Sequence, residues 1–173
     1  RPSVTVFPAL VPAQHPLAAV RNEVNAVFVE CDFLGPGLFL GKGAGGDPTA
    51  SSVASDLGDL VRSAKSGGSS PGMSIDPSRR LQLHPYREIQ YRFFFHFITE
   101  NRPGIWAAVT GRLADNGINI ESVHQKWEDR SLPSDLYILV DEAPEHQARK
   151  ALEEVCACPG IRADSRYYRI LPL

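Results

Sequence analysis

Apolar and polar residues alternate most clearly at Tyr91, Phe93, Phe95 and Phe97, which fall on one side of an extended chain and predict a strand. The alternation breaks at Asn101-Arg102-Pro103-Gly104. Proline at a first helical position lacks only an N–H that would be orphaned anyway, and asparagine just before it can cap the N–H groups that follow. A helix is therefore expected from Pro103. Ile105, Trp106, Val109 and Leu113 recur at helical spacing, and Asn116-Gly117 predicts a left-handed stop. Strand, tight turn and exposed helix start leave backbone N–H groups pointing beyond the turn.

The same patterns organise the rest of the second half. Ile118 to Trp127 predicts a strand whose apolar positions move from even (118, 120) to odd (123, 127), which places a bulge near Glu121 or Ser122. A turn is expected over Glu128 to Pro133, then a strand over Asp135 to Val140, apolar on both faces. Pro144 to Cys156 is amphipathic, with Ala148, Ala151, Leu152, Val155 and Cys156 on one side and Glu145, Arg149, Lys150 and Glu153 on the other. Pro159-Gly160 ends it, and Ile161 to Leu171 predicts a last strand. A βαββαβ chain with right-handed crossovers forms a four-stranded antiparallel sheet with both helices on one face. Its first and third strands are central, and their uncovered face would carry Phe94, Ile98, Tyr137 and Leu139, an apolar patch expected to be buried by another copy or another domain.

The first half is less regular. Ser3 to Val11 suggests a short strand demoted by Pro8 to an edge or a strand end, and Pro16 to Arg21 at best a helical turn or two. Asn25 to Phe33 is β-rich, with Gly35-Pro36-Gly37 expected to turn it back into a strand over Leu38 to Leu40. After GKGAGGDPTA, Asp47 is expected to cap a helix with Pro48 at its first position, and Val53, Leu57, Leu60, Val61 and Ala64 form its apolar stripe. Nothing in the same segment offers to cover that stripe. Serine, glycine and proline dominate from residue 66, so the chain is expected to divide into residues 1–65, a linker over 66–87, and a complete folding unit over 88–173.

Composition narrows the function classes. At 173 residues, with 43% hydrophobic and 22% charged residues, the chain resembles an ordinary soluble globular protein, and a net charge of −2 gives no electrostatic case for nucleic acid. Three cysteines, two of them as Cys156-x-Cys158, do not suggest a disulfide framework; a packing pair and a reduced, cytoplasmic setting are expected. No apolar run approaches the roughly 18 residues of a membrane span. His15, His84, His96, His124 and His146 lack ligand spacing, so no metal is expected. The chain opens at Arg1 and its only methionine is Met73, which suggests the later part of a longer polypeptide.

Two stretches resemble one enzyme. NAVFVECDFLGPGLFLGKGAGGDPTASSVASDLGDLV is similar to the end of the catalytic region of homoserine dehydrogenases, with its asparagine-alanine-valine, glycine-alanine-glycine loop and proline-threonine-alanine helix start; VFPALVPAQHPLAAV before it is also similar. Tyr91 to Leu171 resembles an ACT domain, the small-molecule-sensing module of many such enzymes. The fold class implied is α+β, a ferredoxin-like βαββαβ ACT domain preceded by a partial α/β segment of the catalytic region. The family reduces aspartate semialdehyde to homoserine with NAD(P). Its catalytic lysine and aspartate would precede Arg1, because Lys42, Lys65, Lys126 and Lys150 lack a matching context. The chain alone is thus expected to be inactive and to bind no cofactor by itself.

The resemblance also implies sites. Gly43, Gly45 and Thr49 would border the nicotinamide end of the cofactor. Gly41-Lys42-Gly43-Ala44-Gly45-Gly46 also spells G-x-G-x-x-G, but no second strand ending in an acidic residue follows, and a plain chain-reversing turn stays open. Asn101, Arg102, Gly104, Ile105, Asn119 and Gln125 would form the effector site, with threonine as ligand. Asn101 stands where an aspartate is common, and Trp106 replaces a smaller aliphatic, so an ACT domain that only pairs with another copy remains the alternative. Phe94 and Tyr137 also suit the RNA-recognition fold, but the third strand lacks its glycine-aromatic pattern and the charge opposes it.

Overall fold

Strands form where β-branched and aromatic residues can pack one face against a helix, and most of this chain's alternation of that kind follows residue 89. The computed structural model describes residues 2–67, 82–126 and 132–172. In chain order the elements are β1 (Ala9–Leu10), a 3-10 turn (Pro16–Ala19), β2 (Val24–Cys31), β3 (Gly35–Lys42), α1 (Gly46–Lys65), a second 3-10 turn (Tyr86–Glu88), β4 (Gln90–Thr99), α2 (Ile105–Asp115), β5 (Ile120–Lys126), β6 (Ser134–Pro144), α3 (Glu145–Cys156) and β7 (Arg166–Ile170). They divide into two compact units, residues 2–12 with 82–172, and residues 13–67. Most of the expected linker (68–81), Trp127 and the first part of the turn after it (128–131) lie outside the described residues.

In the first unit the sheet order is β1-β7-β4-β6-β5. As expected, β4 and β6 are central, and their pairing runs from Gln90↔Pro144 to Thr99↔Ser134. Phe93, Phe95 and Phe97 are fully buried with Leu136, Ile138 and Val140, against Ile105, Val109 and Leu113 of α2 and Ala148, Ala151 and Val155 of α3. Each such large side chain contributes about 1.5–3 kcal/mol by leaving water. The expected bulge is present at Glu121, where the β5–β6 register steps from Ile120 to Ser122. A second register shift, opposite Arg92 and Phe93, leaves Asp141 unpaired in the ladder. Its backbone N–H instead donates to the Asn119 carbonyl at 3.0 Å.

Several boundaries differ from expectation, each for a local reason. Residues 3–11 make only the two-residue β1, which pairs parallel to β7 and adds a fifth strand. Helix α2 begins at Ile105, not Pro103, because its N-cap is Gly104 at φ +91°, a left-handed conformation that glycine adopts without strain. Strand β7 starts at Arg166 rather than Ile161. Ile161 makes a lone bridge to Thr99, and the Ser165 N–H then closes a turn onto the Arg162 carbonyl at 3.2 Å. Glu145, expected on the polar side of α3, is 2% exposed.

In the second unit β2 and β3 form a hairpin in register from Val24↔Lys42 to Cys31↔Gly35. The reversal is at 32–34, so Gly35-Pro36-Gly37 lies in β3 rather than in the turn. Helix α1 is capped by Gly45 at φ +123°, not by Asp47. Pro48 is then third in the helix, where its missing N–H is still one of the orphans. No residue of α1 is buried, and among the described residues of this unit only His15 is. The expected stripe therefore lies open, with Leu60 65% exposed. No helix among the described residues is long and apolar enough to cross a membrane.

Candidate functional site

The start of α2 lies against β5, and side chains join them. Trp106 Nε1 donates to Gln125 Oε1 at 2.7 Å, and Gln125 Nε2 donates to Ser134 Oγ at 2.8 Å. Ser134 Oγ in turn lies 3.0 Å from Thr99 Oγ1, and both residues are buried. The Gln125 carboxamide thus has both ends engaged by its own chain. Trp106 was read as part of the apolar stripe, yet it is 44% exposed and its indole lies outward across β5. Ser134 and Thr99 were not singled out from sequence; their mark was a pair of hydroxyl residues at the ends of strands otherwise apolar on that face.

The other expected effector residues are placed unevenly. Ile105 is in the core, and Gly104 accepts from the Ala108 N–H at 3.0 Å as the helix opens. Arg102 is held away from the helix start: Nε donates to Glu100 Oε2 at 2.9 Å and Nη2 to the Pro159 carbonyl at 2.8 Å. A Cβ on Gly160, at φ +84°, would come within 3.0 Å of both side chains, so this corner requires glycine. Asn101 is exposed. Asn119 lies beyond the other end of β5, where its Nδ2 donates to Asp141 Oδ2, and it lines a separate open groove with Ala107, Thr110, Gly111 and Ala114.

At the glycine loop, Gly45 lines a concave surface of about 550 Å³ with Glu23, Lys42, Asp47 and Ser51. Thr49 donates through Oγ1 to the Gly45 carbonyl at 2.8 Å, which tightens the first turn. Gly43 is explained by packing: a Cβ there would fall 1.8 Å from Asn25 Nδ2. Glu23 and Asp47 outnumber the one cation on this surface, Lys42, so its charge gives phosphate no net attraction, whereas the side-chain-free backbone of Gly45 lets a ring or amide approach closely.

A second polar cluster, missed from sequence, joins the start of α3 to β7. Glu145 Oε2 accepts from Arg169 Nε at 2.7 Å, and Glu145 Oε1 accepts from the Tyr167 hydroxyl at 2.6 Å. Burial, then the Glu145 hydrogen bond, pushes the Tyr167 phenol up to about 12. The signal was in the spacing, because 145, 148, 152 and 155 follow one helical stripe and only the charge of Glu145 argued otherwise.

The remaining candidates have structural surroundings. His15 Nδ1 accepts from the Leu17 N–H, and its ring meets Phe28 edge-on at 4.7 Å. His96 lies 2.7 Å from Asp135. Among the described residues no three of His, Cys, Asp and Glu gather to hold a metal. Cys158 packs beside the core, and burial raises the Cys156 thiol above its ordinary range.

Comparison with known proteins accounts for both halves. The homoserine dehydrogenase family profile matches residues 2–57, and the ACT domain profile matches residues 97–160. The homoserine dehydrogenase of Corynebacterium glutamicum is 32% identical over 168 residues, 97% of this chain and 37% of that protein. That of Mycobacterium tuberculosis is 39% identical over 126 residues, 73% of this chain and 28% of that protein. The chain therefore spans little more than a third of these relatives at most. The crystal structure of a homoserine dehydrogenase from Thiobacillus denitrificans superposes with a TM-score of 0.76 at 27% identity, covering 94% of this chain and 37% of that one. With a dehydrogenase match followed, after residues 58–96, by an ACT domain match in one chain, the chain belongs to the homoserine dehydrogenase family, as a portion that contains both.

Proposed function

We propose that this chain is the regulatory portion of an NAD(P)-dependent homoserine dehydrogenase, which interconverts homoserine and aspartate semialdehyde. Residues 2–57 furnish a wall of the cofactor site, with the Gly45 backbone beside the nicotinamide end; the catalytic groups belong to sequence outside this chain. The observation that carries the reading is the order of the two matches, dehydrogenase then ACT, in one chain. Joining the missing catalytic sequence to this chain and following NAD(P)H absorbance with homoserine tests it. Hydride transfer by the joined protein, and none by this chain alone, is expected; an inactive joined protein that nevertheless binds NADPH would overturn it.

The ACT domain senses a small amino acid, with threonine the expected ligand, in a cytoplasmic setting. Orphaned N–H groups at the start of α2 suit its carboxylate, and Gln125 is the nearest carboxamide on β5. The engagement of Gln125 by Trp106 favours a second reading, an ACT domain that pairs with a second copy and takes no effector. Calorimetry with L-threonine at millimolar concentration separates them. Binding heat that disappears in Gln125→Ala supports sensing, and silence in both proteins supports pairing alone.

A further inference from the structure

Residues 2–12 fall within the dehydrogenase match, yet they fold with the ACT-bearing unit. The ladder that joins them to it is short. Strand β1 pairs through two residues only, supported by the Leu171 N–H donating to the Leu10 carbonyl at 3.0 Å and the His84 N–H donating to the Pro2 carbonyl at 2.8 Å. A side chain adds to these: the Phe7 ring centre lies 3.8 Å from the Arg169 guanidinium carbon, and Phe7 meets Tyr91 edge-on at 5.7 Å.

Arg169 needs that contact. It is 8% exposed, its Nε is given to Glu145, and its Nη1 is buried with no hydrogen-bond partner among the described residues. A buried guanidinium with an unfilled N–H is unfavourable unless something else stabilises its charge. Aromatic faces do so, and Arg169 has two, Phe7 and, at 4.9 Å, Tyr91. Phe7 therefore completes the environment in which Arg169 can stay on Glu145, the first residue of α3, and Glu145 in turn keeps Arg169 beneath Phe7.

We propose that Phe7, Arg169 and Glu145 form a latch, through which the last strand and second helix of the ACT-bearing unit hold the first stretch of the dehydrogenase match. Opening the latch at either end loosens the other, because the same guanidinium serves both. A shift of α3 against β7 is thereby carried to residues 5–10, and release of those residues is carried to the first turn of α3.

Hydrogen exchange on this chain tests the latch, with Phe7→Ala, Phe7→Leu and Phe7→Tyr compared with the wild type. Phe7 is partly buried and lies outside the hydrophobic core, so these variants keep the core intact, and unchanged exchange in β4 and β6 verifies it. We expect about tenfold faster exchange both at residues 9–12 and at 145–149 in Phe7→Ala, with the same loss in Phe7→Leu, which keeps apolar area but has no π face. Phe7→Tyr should match the wild type. Faster exchange confined to residues 2–12 would overturn the coupling. Wild-type protection in Phe7→Leu would overturn the role assigned to the ring.

Discussion

Glu145 and Arg169 show how one residue pair ties the start of a helix to the strand beneath it. Both carboxylate oxygens of Glu145 are filled, by Arg169 and Tyr167, so removing its charge strands a guanidinium that is already short of acceptors. Glu145→Gln is expected to destabilise the chain by about 3–5 kcal/mol, the usual penalty for breaking a buried pair from one side, measured by urea denaturation. Tyr167 gives the same site a pH signature. The folded chain holds its phenolic proton more tightly than the unfolded chain does, so this contribution is complete below pH 10. It is lost as pH rises through about 12. Denaturation midpoints between pH 9 and 12 should fall less steeply in Tyr167→Phe than in the wild type. Part of the site was legible at this scale and part was not. The hydrogen-bonding capacity of Gln125 could be anticipated from its place on β5; its capture by Trp106 could not, because a one-residue step turns a helical side chain by about 100° and spacing alone does not fix where an indole comes to rest.

At the scale of elements, two of the three helices that carry apolar stripes, α1 and α2, behave oppositely. Leu113 of α2 is fully buried among phenylalanines, whereas Leu57 of α1 is 58% exposed on an equally regular stripe. Leu113→Ala should therefore remove about 2–5 kcal/mol, while Leu57→Gln should stay within about 0.5 kcal/mol, as thermal melts of the two variants would measure. Periodicity revealed both stripes, since it reports the face a helix presents. It cannot report whether a partner segment is present. The strands after residue 89 and the Glu121 bulge were legible because one face of each strand meets the core, so register is strongly specified. Helix starts were not. Asp47 and the Asn101-Pro103 stretch carry good capping chemistry, but Gly45 and Gly104, at positive φ, set the direction of the chain, and backbone freedom leaves little mark beyond the glycine itself.

At the scale of the whole molecule, the ACT-bearing unit has one sheet face closed by helices and one left half-covered. On the open face Tyr137 stacks between Phe94, at 5.7 Å, and His96, at 4.8 Å, with His124 beyond at 6.4 Å. Ile98 and Leu139 extend this surface, and Arg92 and Glu121 form an ion pair on its rim. An aromatic centre with a charged rim is the usual layout of a protein interface, and the central Tyr137 is the position at which a substitution should matter most. The partner expected is a second copy, since the face is nearly self-complementary in chemistry: apolar in the middle, with both signs of charge at the edge. Sedimentation of the wild type at micromolar concentration should show a dimer or higher assembly. Tyr137→Asp places a charge at the centre without touching the Phe93-Phe95-Phe97 core on the opposite face, so it should give a folded monomer whose circular dichroism is unchanged. A wild type that sediments as a monomer at every concentration tried would reject pairing through this face. A Tyr137→Asp protein that still dimerises would move the interface elsewhere, the groove between α2 and Asn119 being the next surface to test.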